Sequence, residues 1–171
     1  MDELEEWEAA ARRTIGVIDQ TLAHLGFNAV DLTGPGLIGL GRAVGWPDDK
    51  YCMISVGLGG SETMVNVVNG VLRDIRQDRM PALEACNRLT RDNSTFPCVL
   101  HDAEAGWDIL LSQRLPISVF ALDPDFLKTC LEAQLMIADS IREDLEIVSL
   151  GGNRYRWNDD DVNRLLIRSL L

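Results

Sequence analysis

The sequence predicts an α+β domain in which a mostly antiparallel five-stranded sheet has its helices packed on one face. Two long segments, one near each end of the chain, carry apolar residues at helical spacing. Between them lie short stretches in which apolar and polar residues alternate, separated by turn-forming residues. Strands joined by such short turns must be antiparallel, because a parallel neighbour needs a crossover of about a dozen residues. The expected order is α-β-β-β-α-β-β-α.

The first segment, residues 3–25, is predicted to be a helix. Its apolar residues recur every three or four positions and form one continuous stripe. The stripe consists of Leu4, Trp7, Ala11, Ile15, Ile18, Leu22 and Leu25. Gly26 follows directly, and glycine is a typical residue for ending a helix.

Three or four strands are expected before the next helix. The candidates are residues 29–32, 37–44, 51–58 and 63–69, with turns at 45–49 and 59–61. Residues 71–79 fit either a longer strand or the first turn of a helix, and the sequence leaves both open. A helix is expected over residues 80–91.

A second hairpin and a long helix are predicted to follow. The hairpin strands are residues 96–101 and 107–113. Asp123 and Pro124 are typical of the N-cap and first position of a helix, whose apolar stripe runs from Phe126 to Leu145. The long apolar stripe ends near Val148, and Leu150, Gly151 and Gly152 then interrupt the pattern. We therefore expect a domain over residues 1–148 and an extension over 149–171. The extension contains an extended piece at 154–157 and a short helix at 158–171.

Charge and composition exclude several classes of function. The 171 residues include 27 Asp and Glu but only 16 Lys and Arg, for a net charge of −11. Such a chain repels the phosphate backbone, so we expect no nucleic-acid partner, and no membrane partner for the same reason. The first residues resemble no signal peptide, and no apolar run is long enough to span a bilayer. We therefore expect a cytoplasmic protein.

The motifs that could carry chemistry are interpreted as structural. Residues 34–39 match GxGxxG, but Gly41, Gly45 and Pro47 interrupt the helix that a dinucleotide site needs. The four cysteines form no CxxC pair, and each lies in an apolar segment, so we expect reduced core thiols. His24 and His101 are interpreted as a helix-end residue and a surface partner of Asp102. We expect no catalytic residue, no metal ligand, no cofactor and no enzymatic activity.

A candidate binding surface comes from the alternation within the strands. The all-aliphatic sets, including Ile54 and Val65, should face the helices. The opposite face is then expected to be open to a partner, and its candidate binding residues are Tyr51, Met53, Met64, Val68 and Leu110. Flexible methionines suit the recognition of varied apolar segments. Alternatively, the tail from Arg154 onward folds back and covers this face.

The stretch from Met80 to Gly106, MPALEACNRLTRDNSTFPCVLHDAEAG, resembles the YbjN family. The features that carry the resemblance are Asn87, Phe96–Pro97, the strand at 107–113 and the helix from Asp123. The resemblance covers residues 14–145, while Ser94, Thr95, Cys98 and the C-terminal extension depart from it. It implies the small α+β fold of the type III secretion chaperones. Phe96 should then anchor its strand in the core, and Pro97 should keep that strand near a sheet edge.

The resemblance also implies a function and an assembly. By this resemblance we expect a cytoplasmic homodimer that holds a polypeptide client, such as a secreted protein, in extended form. The candidate dimer residues are Met80, Leu83 and Asn87. The alternative is a regulatory or toxin-neutralising module that binds a folded partner. A client that becomes extended on binding would distinguish the first function from the second.

Overall fold

The structure is a computed structural model that describes residues 3–31, 40–46, 50–59, 62–92, 96–103, 106–116 and 124–155. It confirms the α+β class. The helices in these ranges are α1 (Glu3–His24), α2 (Arg79–Asp92), α3 (Pro124–Arg142) and α4 (Leu145–Ser149). The strands are β1 (Asn28–Asp31), β2 (Leu40–Trp46), β3 (Lys50–Gly59), β4 (Glu62–Ile75), β5 (Cys98–Ala103), β6 (Gly106–Pro116) and β7 (Asn153–Arg154).

The sheet has seven strands in these ranges, so the predicted count of five was too low. Their order is β1-β2-β3-β4-β6-β5, and β7 pairs with β4. The pairs β1–β2, β2–β3, β4–β7 and β5–β6 are all antiparallel. The strands β1 to β4 correspond to the four candidates at residues 29–32, 37–44, 51–58 and 63–69, of which the expected order counted only three. The further strand is β7, which contains two residues. Strands of this length are recognised by their pairing partners, which a sequence pattern does not reveal.

The chain divides into two compact units, each built from separate stretches of sequence. The first contains the described residues within 1–67 and 114–131, and the second contains those within 68–113 and 132–155. Each unit has its own cluster of buried apolar side chains. The residues of the predicted extension that are described, 149–155, fall within the second unit.

The core of the first unit confirms the predicted helix-facing side of the sheet. Side chains from α1 and α3 are buried together with one alternating set from β2, β3 and β4, including Ile54 and Val65. Arg42 extends from β2 to this helical layer, where it binds both carboxylate oxygens of Asp19 at 2.7 and 2.8 Å. The same guanidinium donates to Asp31 at 2.9 Å, which joins the edge strand β1 to α1.

The end of α1 has the geometry that Gly26 predicts. Gly26 has a φ of +77°, in the left-handed region that glycine enters without strain. Its N–H donates to the carbonyl of Ala23 at 3.1 Å, and the N–H of Phe27 donates to Leu22 at 3.0 Å. These two bonds form a Schellman motif, which closes the helix before β1 begins.

The second unit settles the ambiguity at residues 71–79. Val71 and Ile75 belong to its core and lie on β4, so the interpretation of residues 71–75 as a longer strand is correct. Asp74 then adopts a φ of 57° and donates its N–H to the carboxylate of Asp108 at 3.0 Å, after which β4 ends. Phe96 is buried in the same core, and β5 is an edge strand that begins directly after Pro97. Both expectations for Phe96–Pro97 are confirmed.

One predicted helix is divided in two. The stripe from Phe126 to Leu145 predicted a continuous helix, but α3 ends at Arg142. Asp144 adopts an extended conformation, and its carboxylate accepts the N–H groups of Glu146 and Ile147 at 3.0 and 3.4 Å. Asp144 is therefore the N-cap of a new helix, α4. Leu145 was placed on the buried stripe, and this assignment was wrong.

Candidate functional site

The predicted binding face of the sheet is largely covered. Met53, Val68 and Leu110 are all buried, and Met64 is half-buried. Tyr51 lies on β3, and its side chain is outside the described residues. Three of the five candidates therefore lack the exposure that a binding surface needs. Their role in binding stays a prediction, and the expected openness of this face was wrong at those three positions.

The beginning of the tail covers the same side of β4 at Gly70, two residues after Val68. Tyr155 lies against Gly70 of β4, at a point where a Cβ on Gly70 would be 2.1 Å from the tyrosine Cγ. The guanidinium of Arg73 lies 5.4 Å from the centre of the same ring. The Tyr155 N–H donates to the carbonyl of Val71 at 3.3 Å, which continues the pairing of β7 with β4. The alternative in which the tail folds onto the sheet is thus supported at Tyr155; residues 156–171 lie outside the described ranges.

Arg142, at the end of α3, fastens this part of β4. Its Nε donates to the carbonyl of Val71 at 3.1 Å, another nitrogen donates to Gly70, and a third pairs with Asp139. Burial lowers the pKa of Arg142, and the neighbouring Asp139 opposes that shift. The carbonyl groups of β4 are therefore satisfied by a helix side chain at this point. We interpret this arrangement as structural, since the Arg142 side chain satisfies backbone carbonyl groups of one strand.

The three candidate dimer residues lie on α2, as the helix prediction requires. Met80 is 59% exposed, Asn87 is also exposed, and Leu83 is half-buried. Residues 80 and 87 are seven apart, so they share one face of the helix. Ala82 and Cys86 on the opposite side belong to the core. α2 therefore presents Met80 and Asn87 to the solvent.

The neighbouring helix α4 adds two exposed apolar side chains that the sequence analysis missed. Leu145 is 85% exposed and Val148 is 58% exposed, while Ile147 is buried in the core. The signal that could have identified them was Asp144, an N-capping residue placed directly before an apolar run. It was overlooked because Leu145 also fits the spacing of the α3 stripe.

Three hydrogen bonds hold α4 alongside α2. Arg88 donates from Nε to Glu146 at 2.7 Å and from a terminal nitrogen to Asp144 at 3.0 Å. At the other end of α4, the Gln77 side chain donates to the carbonyl of Ser149 at 2.8 Å. The C-terminal part of α2 therefore lies beside the start of α4, and Gln77, just before α2, lies beside the end of α4, so the two helices run antiparallel. We call this region, comprising Met80, Asn87, Leu145 and Val148, the α2–α4 surface.

Carboxylates outnumber guanidinium groups around this surface. Two guanidinium groups, those of Arg88 and Arg91, have four carboxylates near them in the chain or in space. The carboxylates belong to Asp92, Glu143, Asp144 and Glu146, and Arg88 is within 3.8 Å of Asp92. Burial alone would raise the pKa of Asp144, but the bonds from the Glu146 N–H and from Arg88 lower it overall. Asp144 is therefore ionised at neutral pH, and the region beside Leu145 is acidic.

The described cysteines are poorly suited to nucleophilic chemistry. All four are buried and none is in a disulfide, which confirms the prediction of core thiols. Burial raises the pKa of Cys86 to about 11 and, with help from the nearby Cys86 thiol, that of Cys98 to about 12. Burial also raises the pKa of Cys130. Since the thiolate is the reactive form, these three side chains are weak nucleophiles at neutral pH.

The remaining motifs considered in the sequence analysis, the GxGxxG match and the two histidines, form no site in the described ranges. Residues 34–39, the GxGxxG match, lie outside the described ranges, and the residues after them form β2 rather than a helix. His24 is in the last turn of α1, and His101 and Asp102 lie on the edge strand β5. Across the described ranges, no group of three or more His, Cys, Asp or Glu side chains is placed to hold a metal ion. No helix in those ranges is both long enough and apolar enough to span a membrane.

Comparison with known proteins gives a likeness in structure but none in sequence. No family model matches the chain, and no curated protein matches it. Among solved structures, the chain is similar to the crystal structure of YbjN from E. coli, a protein proposed to regulate transcription. The two chains are 14% identical with a TM-score of 0.46, over 75% of this chain and 89% of the other. Similarity at this level assigns no role to any residue of this chain.

Proposed function

We propose that this protein is a non-enzymatic protein-binding domain that holds a polypeptide client in a chaperone-like manner. The observation that carries the proposal is a pair of exposed apolar side chains on the α4 part of the α2–α4 surface, Leu145 at 85% and Val148 at 58% exposure. Burying apolar area stabilises a complex by about 25 cal/mol for each Å² removed from water. A client segment that covers these side chains would gain that free energy.

The fixed relation of the two helices further supports this proposal. Arg88 binds both ends of the Asp144–Glu146 segment, so α4 does not need to be ordered when a client arrives. A preformed surface avoids part of the entropic cost of binding. The buried, protonated thiols give little support to an enzymatic alternative based on nucleophilic cysteine.

We further propose that the protein acts in the cytoplasm as a homodimer in which Met80, Leu83 and Asn87 are in or near the contact. The resemblance of the sequence to the YbjN family and to the secretion chaperones is the reason for this assembly. Met80 and Asn87 are exposed in the single chain, as a dimer contact requires.

The test combines the oligomeric state with client holding. Size-exclusion chromatography with light scattering gives the mass of the full chain, and a chemically unfolded model polypeptide is then diluted into it while aggregation is followed. We expect a dimer that suppresses aggregation, and a Met80→Ser variant with a weaker dimer. Val30→Ser, in the first unit, is a matched control because Val30 is also 59% exposed. A monomer that leaves aggregation unchanged would contradict the proposal.

A further inference from the structure

The client-binding end of the α2–α4 surface has a distinct chemical character. Leu145 is the most exposed large apolar side chain among the described residues, at 85%. It stands between Asp144 and Glu146 and follows Glu143, so three carboxylates flank it in sequence. Asp92, at the end of α2, is brought to the same place by Arg88.

The guanidinium groups nearby do not cancel this charge. Arg88 is shared among Asp92, Asp144 and Glu146, at distances of 3.8, 3.0 and 2.7 Å. Arg91 is 3.5 Å from Asp92 and is otherwise exposed. Four carboxylates thus face two guanidinium groups, in a chain whose net charge is −11. A ligand with apolar and positively charged groups side by side would match both features.

We infer that the α2–α4 surface binds an amphipathic, basic polypeptide segment, in which apolar side chains cover Leu145 and Val148 while flanking Lys or Arg side chains approach Glu143 and Glu146. This inference names the client class of the proposed function and rests on it. Apolar contacts supply the affinity of such a complex, and the opposite charges select the partner and accelerate association. A second copy of this chain is a poorer occupant of the end that contains Leu145 and Val148, because it would bring the same excess of carboxylates to the contact. The proposed dimer contact instead uses Met80, Leu83 and Asn87 of α2.

The probes are three labelled peptides of about 18 residues, a length that makes five helical turns. One is an amphipathic Leu/Lys peptide, one replaces every Lys with Glu, and one keeps Lys but replaces every Leu with Ser. Binding to the full chain is followed by fluorescence anisotropy at several salt concentrations. We expect the Leu/Lys peptide to bind at least about tenfold more tightly than the others, and to weaken as salt screens the charges.

Matched variants locate the binding site. Val148→Ser and Val30→Ser remove valines of nearly equal exposure, 58% and 59%, from different units. We expect Val148→Ser to weaken Leu/Lys binding by about tenfold and Val30→Ser to leave it unchanged. A double Glu143→Gln, Glu146→Gln variant should weaken binding and reduce its dependence on salt. Both positions are exposed, so these variants are expected to fold.

Three results would overturn the inference. The first is equal binding of the Lys and Glu peptides; the second is equal loss in the Val30 and Val148 variants. The third is a change in oligomeric mass on Val148→Ser without a change in peptide binding, which would assign the surface to self-association. If the protein still suppresses aggregation while Val148→Ser has no effect, the proposed function stands and this surface is not its site.

Discussion

Two asparagines on β4 differ in how their buried amides are satisfied. The Asn66 side chain lies 3.5 Å from the hydroxyl of Ser55, and both residues are buried. Asn69 is buried more deeply than Asn66, and its Nδ2 has no hydrogen-bond partner among the described residues. A buried donor without a partner costs roughly 1–3 kcal/mol, because it has lost its hydration without replacement.

We therefore expect Asn69→Val to raise the free energy of unfolding by about 1 kcal/mol. The matched change, Asn66→Val, should lower it by about 1 kcal/mol because the buried Ser55 hydroxyl loses its neighbour. Urea denaturation of the two variants and the wild type measures both effects. Destabilisation by Asn69→Val equal to that by Asn66→Val would show that the Asn69 amide is satisfied in solution.

At the scale of single elements, the most demanding contact is between β4 and the residue after β7. A Cβ at position 70 would lie within 2.1–2.7 Å of three carbon atoms of Tyr155. We expect Gly70→Ala to lower the free energy of unfolding by about 2 kcal/mol, since the ring must move. Gly16→Ala is the control, because a Cβ there has nothing within 4 Å and the residue is inside α1. Alanine at position 16 should stabilise the protein by up to about 1 kcal/mol.

A double variant shows whether Tyr155 is the cause. Once Tyr155→Ala has removed the ring, the added effect of Gly70→Ala should fall well below its effect in the wild type. Thermal denaturation of the four combinations measures the coupling. Full additivity would show that the backbone of β4, rather than the tyrosine, requires glycine at this position.

The N-cap of α4 predicts a dependence of stability on pH. The Glu146 N–H and Arg88 lower the pKa of Asp144 below its ordinary value of 3.8, against the opposing effect of burial. A group whose pKa is lower in the folded state stabilises the protein when it is ionised. This contribution is complete above pH values near 3.8 and is lost as the pH falls through the folded-state pKa.

We expect Asp144→Asn to be less sensitive to acid than the wild type below about pH 4, because asparagine caps helices but cannot be protonated in this range. Asp144→Ala should cost about 1 kcal/mol near neutral pH, since it removes the cap. Urea midpoints at pH 3 and pH 6 measure both changes. Identical acid dependence in the wild type and Asp144→Asn would contradict the role of the ionised carboxylate.

At the scale of the whole molecule, the cysteines provide a probe in each unit. Cys52 and Cys130 belong to the first unit, and Cys86 and Cys98 belong to the second. All four are buried, and burial raises the pKa values of Cys86, Cys98 and Cys130. We expect all four thiols to react at least about tenfold more slowly with iodoacetamide in the native protein than in denaturant, since all four are inaccessible and the raised pKa values make the reactive thiolate scarce at Cys86, Cys98 and Cys130. Mass spectrometry of digested samples assigns the rate at each cysteine, and rapid native labelling at one site would show that its unit opens locally.

Much of the fold follows from short-range patterns in the sequence. The stripe of residues 3–25 and Gly26 correctly placed α1 and its end, because helix periodicity and glycine caps act over a few residues. The alternation that includes Ile54 and Val65 correctly chose the side of the sheet that faces the helices. Pro124 begins α3 as predicted. The pairing of β7 with β4 was missed, since a strand of two residues carries little pattern of its own.

The α+β class, the helix-facing residues and the core position of the cysteines could be predicted from the residues, because these depend on local periodicity and hydrophobicity. Which apolar residues remain exposed follows from the packing of the folded chain and could not be predicted. Met53 and Leu145 both fit apolar patterns, yet Met53 is buried and Leu145 is exposed. Asp144 starts a new helix on which Leu145 is exposed and Ile147 is buried, while Met53 is buried although it lies on the side of the sheet opposite Ile54 and Val65. Exposure, and with it the candidate interaction surface, depends on contacts between residues far apart in the chain.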